Sequence, residues 1–175
     1  AKMIEIRAEL AGSILDIGGG GEAVIGRAYG ERVLAIDISQ EELDEAPDCC
    51  RKRRMDATDL QLPDKSFDNV TFFYSLMYMT EEEQRRALGE AARVLKRGGC
   101  ICIWDTEIDS AYPEPFEVEL DIRVKDTVIH TVYGVVKRGR QSFGTIQQFL
   151  QCAGMDIAAA EKKGAQFYMK CRKRR

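Results

Sequence analysis

The stretch SILDIGGGGEAV, residues 13–24, joins a short apolar run to four consecutive glycines and the start of a helical pattern. The apolar run predicts a buried strand over Ser13–Ile17, and the residues after the glycines predict a helix over Glu22–Tyr29. Glycines at such a junction let the backbone approach a ligand closely, and the amides at a helix start carry partial positive charge. The spacing Gly18-x-Gly20-x-x-Ala23 fits a dinucleotide fingerprint in which alanine replaces the third glycine. The junction therefore predicts a site for a nicotinamide or another adenosine cofactor.

Outward from this junction, apolar strands alternate with amphipathic helices. The further strands predicted in this part of the chain are Arg32–Ile38, Lys52–Ala57, Phe67–Tyr74 and Cys100–Asp105. Helices are predicted over Gln40–Ala46 and Glu81–Lys96, with Thr80 as the N-cap of the longer one. Buried strands separated by helices are typical of a parallel sheet covered on both faces, so the predicted fold class is α/β.

The pattern changes after Asp105. Residues Phe116–Val124 alternate between apolar and charged side chains, which predicts a half-buried strand. Lys125–Asp126 then turn the chain into a second strand, Thr127–Val136. We therefore predict one domain over residues 1–175 that carries an antiparallel β-hairpin insertion at 115–136. A helix over 143–153 and two strands, over 156–161 and 165–171, complete the predicted elements.

The composition excludes several classes of protein. The chain is 45% apolar and 31% charged, which is typical of a globular protein and excludes a disordered one. A net charge of −3 gives no general attraction to nucleic acid, although RKRR runs at 51–54 and 172–175 leave open a contact with a polyanion. The six cysteines include no C-x-x-C pair and there is one histidine, so no metal site is expected. Free thiols, a charged N-terminus and no spanning apolar run predict a cytoplasmic protein without membrane partners.

Four segments carry a resemblance to a known family: ILDIGGGGE (14–22), VLAIDIS (33–39), MDATDLQLPDKSFDNV (55–70) and RVLKRGG (93–99). The chain resembles the class I S-adenosylmethionine-dependent methyltransferases, in particular the small-molecule branch that includes the quinone-biosynthesis enzymes. The resemblance implies a three-layer, Rossmann-like fold with a mainly parallel seven-stranded sheet in the order 3-2-1-4-5-7-6. It also implies methyl transfer from S-adenosylmethionine to a small-molecule acceptor, with S-adenosylhomocysteine as the second product.

The resemblance also implies a set of cofactor-binding residues. In the family motif D/E-x-G-x-G-x-G, Glu22 stands in place of the last glycine. By this resemblance Asp16 orients the methionine ammonium, and Gly18, Gly19 and Gly20 let the backbone approach the cofactor. Asp37 binds the ribose hydroxyls, and Ile38 packs on the adenine face. Asp56 and the Ala57 backbone meet the adenine edge, and Phe73 and Tyr74 border the methionine moiety. Physical chemistry agrees, because cations favour carboxylates and aromatic faces, and a diol favours a bidentate carboxylate.

No catalytic residue is assigned from the sequence. Methyl transfer is an in-line displacement whose thioether leaving group needs no protonation, so positioning supplies most of the rate. An acceptor that must lose a proton calls for a base. The candidates near the predicted strand ends and in the hairpin are Tyr74, Tyr78, Asp105, Glu107 and His130.

Two other functions stay open. One is a non-catalytic S-adenosylmethionine-binding or interaction module, because the predicted first strand begins early and would leave the cofactor site open. The other is a nicotinamide-dependent oxidoreductase, although the chain has no Tyr-x-x-x-Lys proton donor. A nucleic-acid acceptor is disfavoured by the lack of an Asn-Pro-Pro-Tyr motif. The hairpin at 115–136 is expected to face the substrate or to form a homodimer contact, since an isolated two-stranded ribbon is only marginally stable.

Overall fold

The chain forms ten strands and four helices, and the structure, a computed structural model, describes all residues, 1–175. The strands are β1 (Lys2–Glu5), β2 (Ile14–Ile17), β3 (Val33–Asp37), β4 (Arg51–Arg54), β5 (Phe67–Phe73), β6 (Leu95–Thr106), β7 (Phe116–Val124), β8 (Thr127–Val135), β9 (Met155–Lys163) and β10 (Gln166–Lys173). The helices are α1 (Val24–Tyr29), α2 (Gln40–Glu45), α3 (Glu81–Val94) and α4 (Phe143–Cys152). None of these helices combines the length and the apolar character that crossing a membrane requires.

Seven strands form the main sheet, in the order β4-β3-β2-β5-β6-β10-β9. Neighbours from β4 to β6 run parallel, and β10 runs antiparallel to both β6 and β9. If only the strands of this sheet are numbered along the chain, starting at β2, the order is 3-2-1-4-5-7-6, so the predicted α/β fold and sheet order are confirmed. Because β2 lies between β3 and β5, the carboxyl ends of all three strands meet at one edge of the sheet.

Helices α3 and α4 cover one face of the main sheet. Apolar side chains such as Leu88 and Leu150 are fully buried there, in one cluster with Phe72 and Ile101 of the sheet. The start of α3 is fixed by a capping box, in which Thr80 accepts from the Glu83 amide while the Glu83 side chain accepts from the Thr80 amide. The apolar stripe and the cap together explain why this helix was predicted from the sequence.

A small second sheet, in the order β1-β7-β8, completes the opposite face. The predicted hairpin is confirmed, with the expected turn at Lys125–Asp126 and an end one residue earlier than expected, at Val135. The inward residues of β7, for example Leu120, belong to one buried cluster with α1 and with Trp104 of the main sheet. This sheet therefore takes part in the core and is not a detached ribbon.

The structure corrects two details of the sequence interpretation. The first strand of the chain is not the one before the glycines, because β1 precedes it and pairs in parallel with β7. The predicted helix 81–96 ends at Val94, and β6 begins at Leu95 where a strand was predicted only from Cys100. Leu95 is fully buried and pairs with Phe67, so tertiary pairing extends the strand through Gly98 and Gly99.

Candidate functional site

A cleft of about 880 Å³ opens at the carboxyl ends of β2, β3 and β5. This is where open α/β sheets bind ligands, since the loops that follow the strands diverge there. Most of the residues predicted from the sequence line the cleft: Gly18, Gly19, Gly20, Asp37, Ile38, Asp56, Ala57, Phe73 and Tyr74. The structure thus brings these residues together, while their contacts with a cofactor stay predictions.

The glycine loop is held tightly against its neighbours. The amides of Gly18 and Gly19 both donate to the carbonyl of Ile36, at 2.9 and 3.1 Å. Gly18 has a φ of +74°, and a Cβ added to it would lie 2.5 Å from the Cβ of Ser75. Glycine is therefore required at this position both by the backbone conformation and by the close approach of the segment after β5.

Asp37, the last residue of β3, presents its carboxylate to the same loop. One oxygen accepts from the Gly20 amide at 3.1 Å, and the other accepts from the Ser39 amide at 3.0 Å. The next side chain, Ile38, is 62% exposed and lies along the cleft. The Asp37 carboxylate, which can accept two hydrogen bonds, therefore lies next to the apolar side chain of Ile38.

Asp16 lies beneath the glycine loop and is not part of the cleft lining. One carboxyl oxygen accepts from the Thr71 hydroxyl at 2.8 Å, and the other would lie 3.0 Å from a Cβ added to Gly19. Burial raises the pKa of Asp16 to about 7, with a smaller contribution from the negative charge of Asp37, while the Thr71 bond lowers it. A cation near Gly19 would favour the ionised form of this carboxyl.

Asp56 stands on the other side of the cleft, just after the buried Met55. Its carboxylate accepts from the amide and the hydroxyl of Thr58, at 2.9 and 2.8 Å, and these bonds lower its pKa. The bonds hold Asp56 and Ala57 in a turn that borders the cleft.

Three aromatic rings form one wall of the cleft. The rings of Tyr74 and Tyr133 stack at 5.5 Å with an angle of 9° between them, and Phe73 meets Tyr74 edge-on at 5.0 Å. Tyr133 comes from β8 of the hairpin and was not predicted as a site residue. Burial raises the pKa of both tyrosines, so they are neutral at physiological pH. The Tyr74 hydroxyl donates to Gln166 at 2.7 Å, which fixes its ring.

Of the five candidate bases, Tyr74 and Tyr78 line the cleft, whereas Asp105, Glu107 and His130 do not. Burial raises the pKa of Tyr78 as well. Glu107 is paired with Lys162 at 2.7 Å, outside the cleft lining. His130 is exposed and bonds Asp121 at 2.6 Å, and it does not line the cleft. No group of three or more His, Cys, Asp or Glu side chains is placed to hold a metal ion.

Asp105 is fully buried behind the turn that carries Tyr78. It accepts from Gln141 at 2.8 Å and from the Met77 amide at 3.3 Å, and burial raises its pKa to about 7. Lys137, which follows the hairpin, donates to the carbonyls of Met77 and Met79 at 3.2 and 2.8 Å. These side chains hold the turn Leu76–Tyr78 at the cleft and link it to the hairpin.

The two basic runs lie at different places in the fold. Residues 51–54 form the edge strand β4, and Arg54 donates to the Ile38 carbonyl at 3.0 Å. Residues 172 and 173 end β10 and residues 174 and 175 follow it, and Arg174 pairs with Asp156 at 2.8 Å. The runs therefore do not combine into one basic surface.

Comparisons with known proteins agree with this geometry. Residues 15–103 match the family model described as a methyltransferase domain. The 27-O-demethylrifamycin SV methyltransferase of Amycolatopsis mediterranei (strain S699) is 32% identical over 173 residues, which cover 92% of this chain and 59% of that protein. The O-methyltransferase resE of Aspergillus sclerotiorum is 31% identical over 127 residues, or 63% of this chain and 47% of that protein. The chain thus spans about half to three fifths of the length of these relatives.

A solved structure shares the fold over nearly the whole chain. The S-adenosylmethionine-dependent methyltransferase from Mesorhizobium loti superposes with a TM-score of 0.67 at 20% identity, covering 95% of this chain and 94% of that one. At this identity the likeness concerns the fold alone.

Proposed function

Because the chain belongs to the class I S-adenosylmethionine-dependent methyltransferases, we propose that it transfers a methyl group from S-adenosylmethionine to a hydroxyl oxygen of a small molecule. The choice of a hydroxyl acceptor is supported by the names of the two relatives, since one is a methyltransferase of 27-O-demethylrifamycin SV and the other is an O-methyltransferase. The observation that carries the proposal is the pairing of the glycine loop with the Asp37 carboxylate at the carboxyl ends of parallel strands.

The proposed cofactor contacts follow from this arrangement. The two oxygens of Asp37 bind the ribose hydroxyls in place of the Gly20 and Ser39 amides. Ile38 lies on one side of the adenine, and the turn at Asp56 and Ala57 meets its edge. The aromatic wall faces the sulfonium and Asp16 balances the ammonium charge from beneath the loop, because cations favour aromatic faces and carboxylates.

When bound, S-adenosylmethionine supplies a methyl group whose S–C bond breaks as the acceptor oxygen forms its C–O bond, with the electron pair left on sulfur and the hydroxyl proton released. The chain's contribution is to orient the two reactants, which is worth about 7–11 kcal/mol at best. Tyr78 and the hairpin residues Thr131 and Val132 line the cleft, and the exposed side chains of Tyr78 and Val132 are where an acceptor would enter. Tyr78 is protonated at neutral pH, and burial raises its pKa further, so its hydroxyl can donate a hydrogen bond that orients the acceptor.

Calorimetric titration tests the cofactor site. S-adenosylmethionine, S-adenosylhomocysteine and NADH are titrated into the parent, Asp37→Ala and Asp109→Ala, an exposed control outside the cleft. We expect micromolar binding to the parent and to the control, and at least about tenfold weaker binding to Asp37→Ala, since two charge-assisted bonds are lost. Thermal unfolding verifies that both variants fold. Binding of NADH without binding of either sulfur compound would overturn the proposal in favour of an oxidoreductase.

Transfer itself is tested with a labelled methyl group and a panel of hydroxylated small molecules. Label in an acceptor supports the proposed reaction, with mass spectrometry locating the methylated oxygen. Cofactor binding without transfer to any acceptor favours the alternative, a non-catalytic cofactor-binding module. That alternative has one observation in its favour, which is that the tyrosines at the cleft have raised pKa values and cannot act as bases at neutral pH.

Location and assembly are also part of the proposal. Six cysteines without a disulfide fit a reducing compartment such as the cytoplasm. A homodimer contact through the hairpin is compatible with the exposed side chain of Val128, which does not line the cleft. Sedimentation of the parent against a Val128→Lys variant tests this contact, and a monomeric parent would exclude it.

A further inference from the structure

Two adjacent cysteines, Cys49 and Cys50, lie in the segment that joins α2 to β4. Both side chains are free thiols that are partly exposed, and neither residue lines the cleft. The remaining four cysteines lie in regular elements away from this segment: Cys100, Cys102, Cys152 and Cys171. The adjacent pair is therefore the place in the chain where two accessible thiols occur together.

The two thiols converge on a buried glycine of α1. A Cβ added to Gly26 would lie 2.7 Å from the Sγ of Cys50 and 3.0 Å from the Sγ of Cys49. In an extended strand the side chains of adjacent residues point to opposite faces, but the chain bends at residues 48–50 and turns both sulfurs toward α1. Because position 26 carries no side chain, the two sulfurs share the space above it.

The surroundings of the pair disfavour negative charge. Burial, together with the charge of Cys49 and a hydrogen bond with that thiol, raises the pKa of Cys50 to about 12. The negative charge of Asp16 acts in the same direction, and Lys52 opposes it. Cys50 also packs against the apolar cluster that contains α1. Both thiols in contact are therefore best converted into a product that carries no charge.

The number of sulfurs and the low polarity restrict the chemistry of a ligand. No third His, Cys, Asp or Glu side chain completes a metal site, whereas Zn²⁺ takes four ligands. A monovalent soft ion such as Cu(I) would leave a negatively charged dithiolate, which the burial of Cys50 and the charge of Asp16 disfavour. A trivalent arsenical with one organic substituent forms two As–S bonds and gives a neutral product, so it meets both requirements.

We propose that Cys49 and Cys50 form a dithiol site that chelates monosubstituted trivalent arsenicals. The arsenic of R–As=O forms one bond to each sulfur, and the two thiol protons leave with the oxygen as water. Arsenic stays trivalent and both sulfurs stay reduced, so no oxidant or reductant is needed. The second bond closes a ring within one chain, where the effective concentration of the second thiol is high. The inference goes beyond the proposed function and does not depend on it, because neither cysteine lines the cleft.

Mass spectrometry of the full, reduced chain tests the proposal, with phenylarsine oxide as the probe. The folded protein is incubated with one equivalent of probe in excess mercaptoethanol, a monothiol that removes arsenic held by a single sulfur but competes poorly with a chelate. We expect one phenylarsenic group per chain, with the mass of the probe less one water. Dimercaptopropanol, which forms a chelate of its own, should remove it.

Single variants connect the retained arsenic to the pair. Cys49→Ser and Cys50→Ser each leave one sulfur above Gly26, and each should retain arsenic at least about a hundredfold more weakly, measured as the monothiol concentration that removes half of it. The matched control is Cys152→Ser, which removes an exposed cysteine outside the pair and should behave as the parent does. Thermal unfolding verifies that the three variants fold.

Each result has one meaning. If the parent retains no arsenic in the presence of the monothiol, the dithiol site is refuted. If either Cys49→Ser or Cys50→Ser retains arsenic as tightly as the parent, the arsenic lies elsewhere and the role of the pair is refuted. Neither result affects the proposed function, which the calorimetric titration with S-adenosylmethionine tests separately.

Discussion

Replacing Asp16 by asparagine should stabilise the unliganded protein above neutral pH. The carboxyl is buried beneath the glycine loop, where it accepts one hydrogen bond, from the Thr71 hydroxyl. Burial raises its pKa from the usual 3.8 to about 7. Asparagine retains an oxygen that can accept from Thr71 and carries no charge that folding must remove from water.

The sign and size of the effect follow from proton binding in the two states. In the unfolded chain this carboxyl ionises near pH 3.8, whereas in the folded chain it stays protonated up to about pH 7. Between these values the unfolded state binds fewer protons, so stability falls as the pH rises. One pKa unit corresponds to about 1.36 kcal/mol, and the full cost above neutrality is therefore about 4 kcal/mol.

Urea unfolding of the parent and the Asp16→Asn variant at pH 4, 6 and 8 measures this cost. The free energy of unfolding of the variant relative to the parent should rise by about 4 kcal/mol across this range. Asp105, whose pKa is also about 7, titrates in both proteins and cancels in the difference. In an Asp56→Asn control the difference should stay nearly constant over this range, because Thr58 lowers the pKa of Asp56 below 3.8 and the carboxyl is mostly ionised in both states from pH 4 upward. A difference for Asp16→Asn that is the same at all three pH values would refute the reasoning.

Three further predictions concern the loop, the small sheet and the turn. Gly18→Ala should abolish detectable cofactor binding in calorimetry, because its φ is +74° and its Cβ would collide with Ser75, whereas Gly144→Ala, with open space around it, should bind normally. Leu120→Ala should lower the free energy of unfolding in urea by about 2–5 kcal/mol, and a loss well below 1 kcal/mol would contradict the described packing of β7. Lys137→Met should speed amide exchange in the turn 76–79 with unchanged cofactor affinity, and equal exchange rates would show that Lys137 does not hold the turn.

The local pattern was sufficient to predict the strand–loop–helix unit at the glycines. An apolar run before Gly18–Gly21 specifies a strand end and a loop, and both depend on neighbours in the sequence. The order of the sheet could not be derived in this way, because a four-residue strand such as β2 is buried along its whole length and contains no signal for its partners. That order came from the family resemblance, and β1 was missed because its pairing with β7 joins residues more than a hundred positions apart.

The candidate site, like the fold, could be predicted from the sequence only in part. Asp37 and the glycines were predicted because their roles depend on the ends of predicted strands. Tyr133 was not, since β8 carries apolar side chains on both faces, with Ile129 buried and Val132 exposed, and alternation alone does not tell which face meets the cleft. The carboxylates of α2 were not predicted as site residues, because their proximity to Gly20 and Gly21 arises only when α2 lies against the loop.

The position of the small sheet argues against treating the hairpin as a removable cap. Helix α1 has six residues and covers only part of one face of the main sheet. The rest of that face, including Trp104, is covered by Leu120 and its neighbours on β7. The same hairpin carries Tyr133 to the cleft and continues into Lys137, which holds the turn of Tyr78. Because one segment completes the core and also lines the cleft, changes in its packing should affect stability and ligand binding together, whereas its cleft-facing side chains can be changed separately.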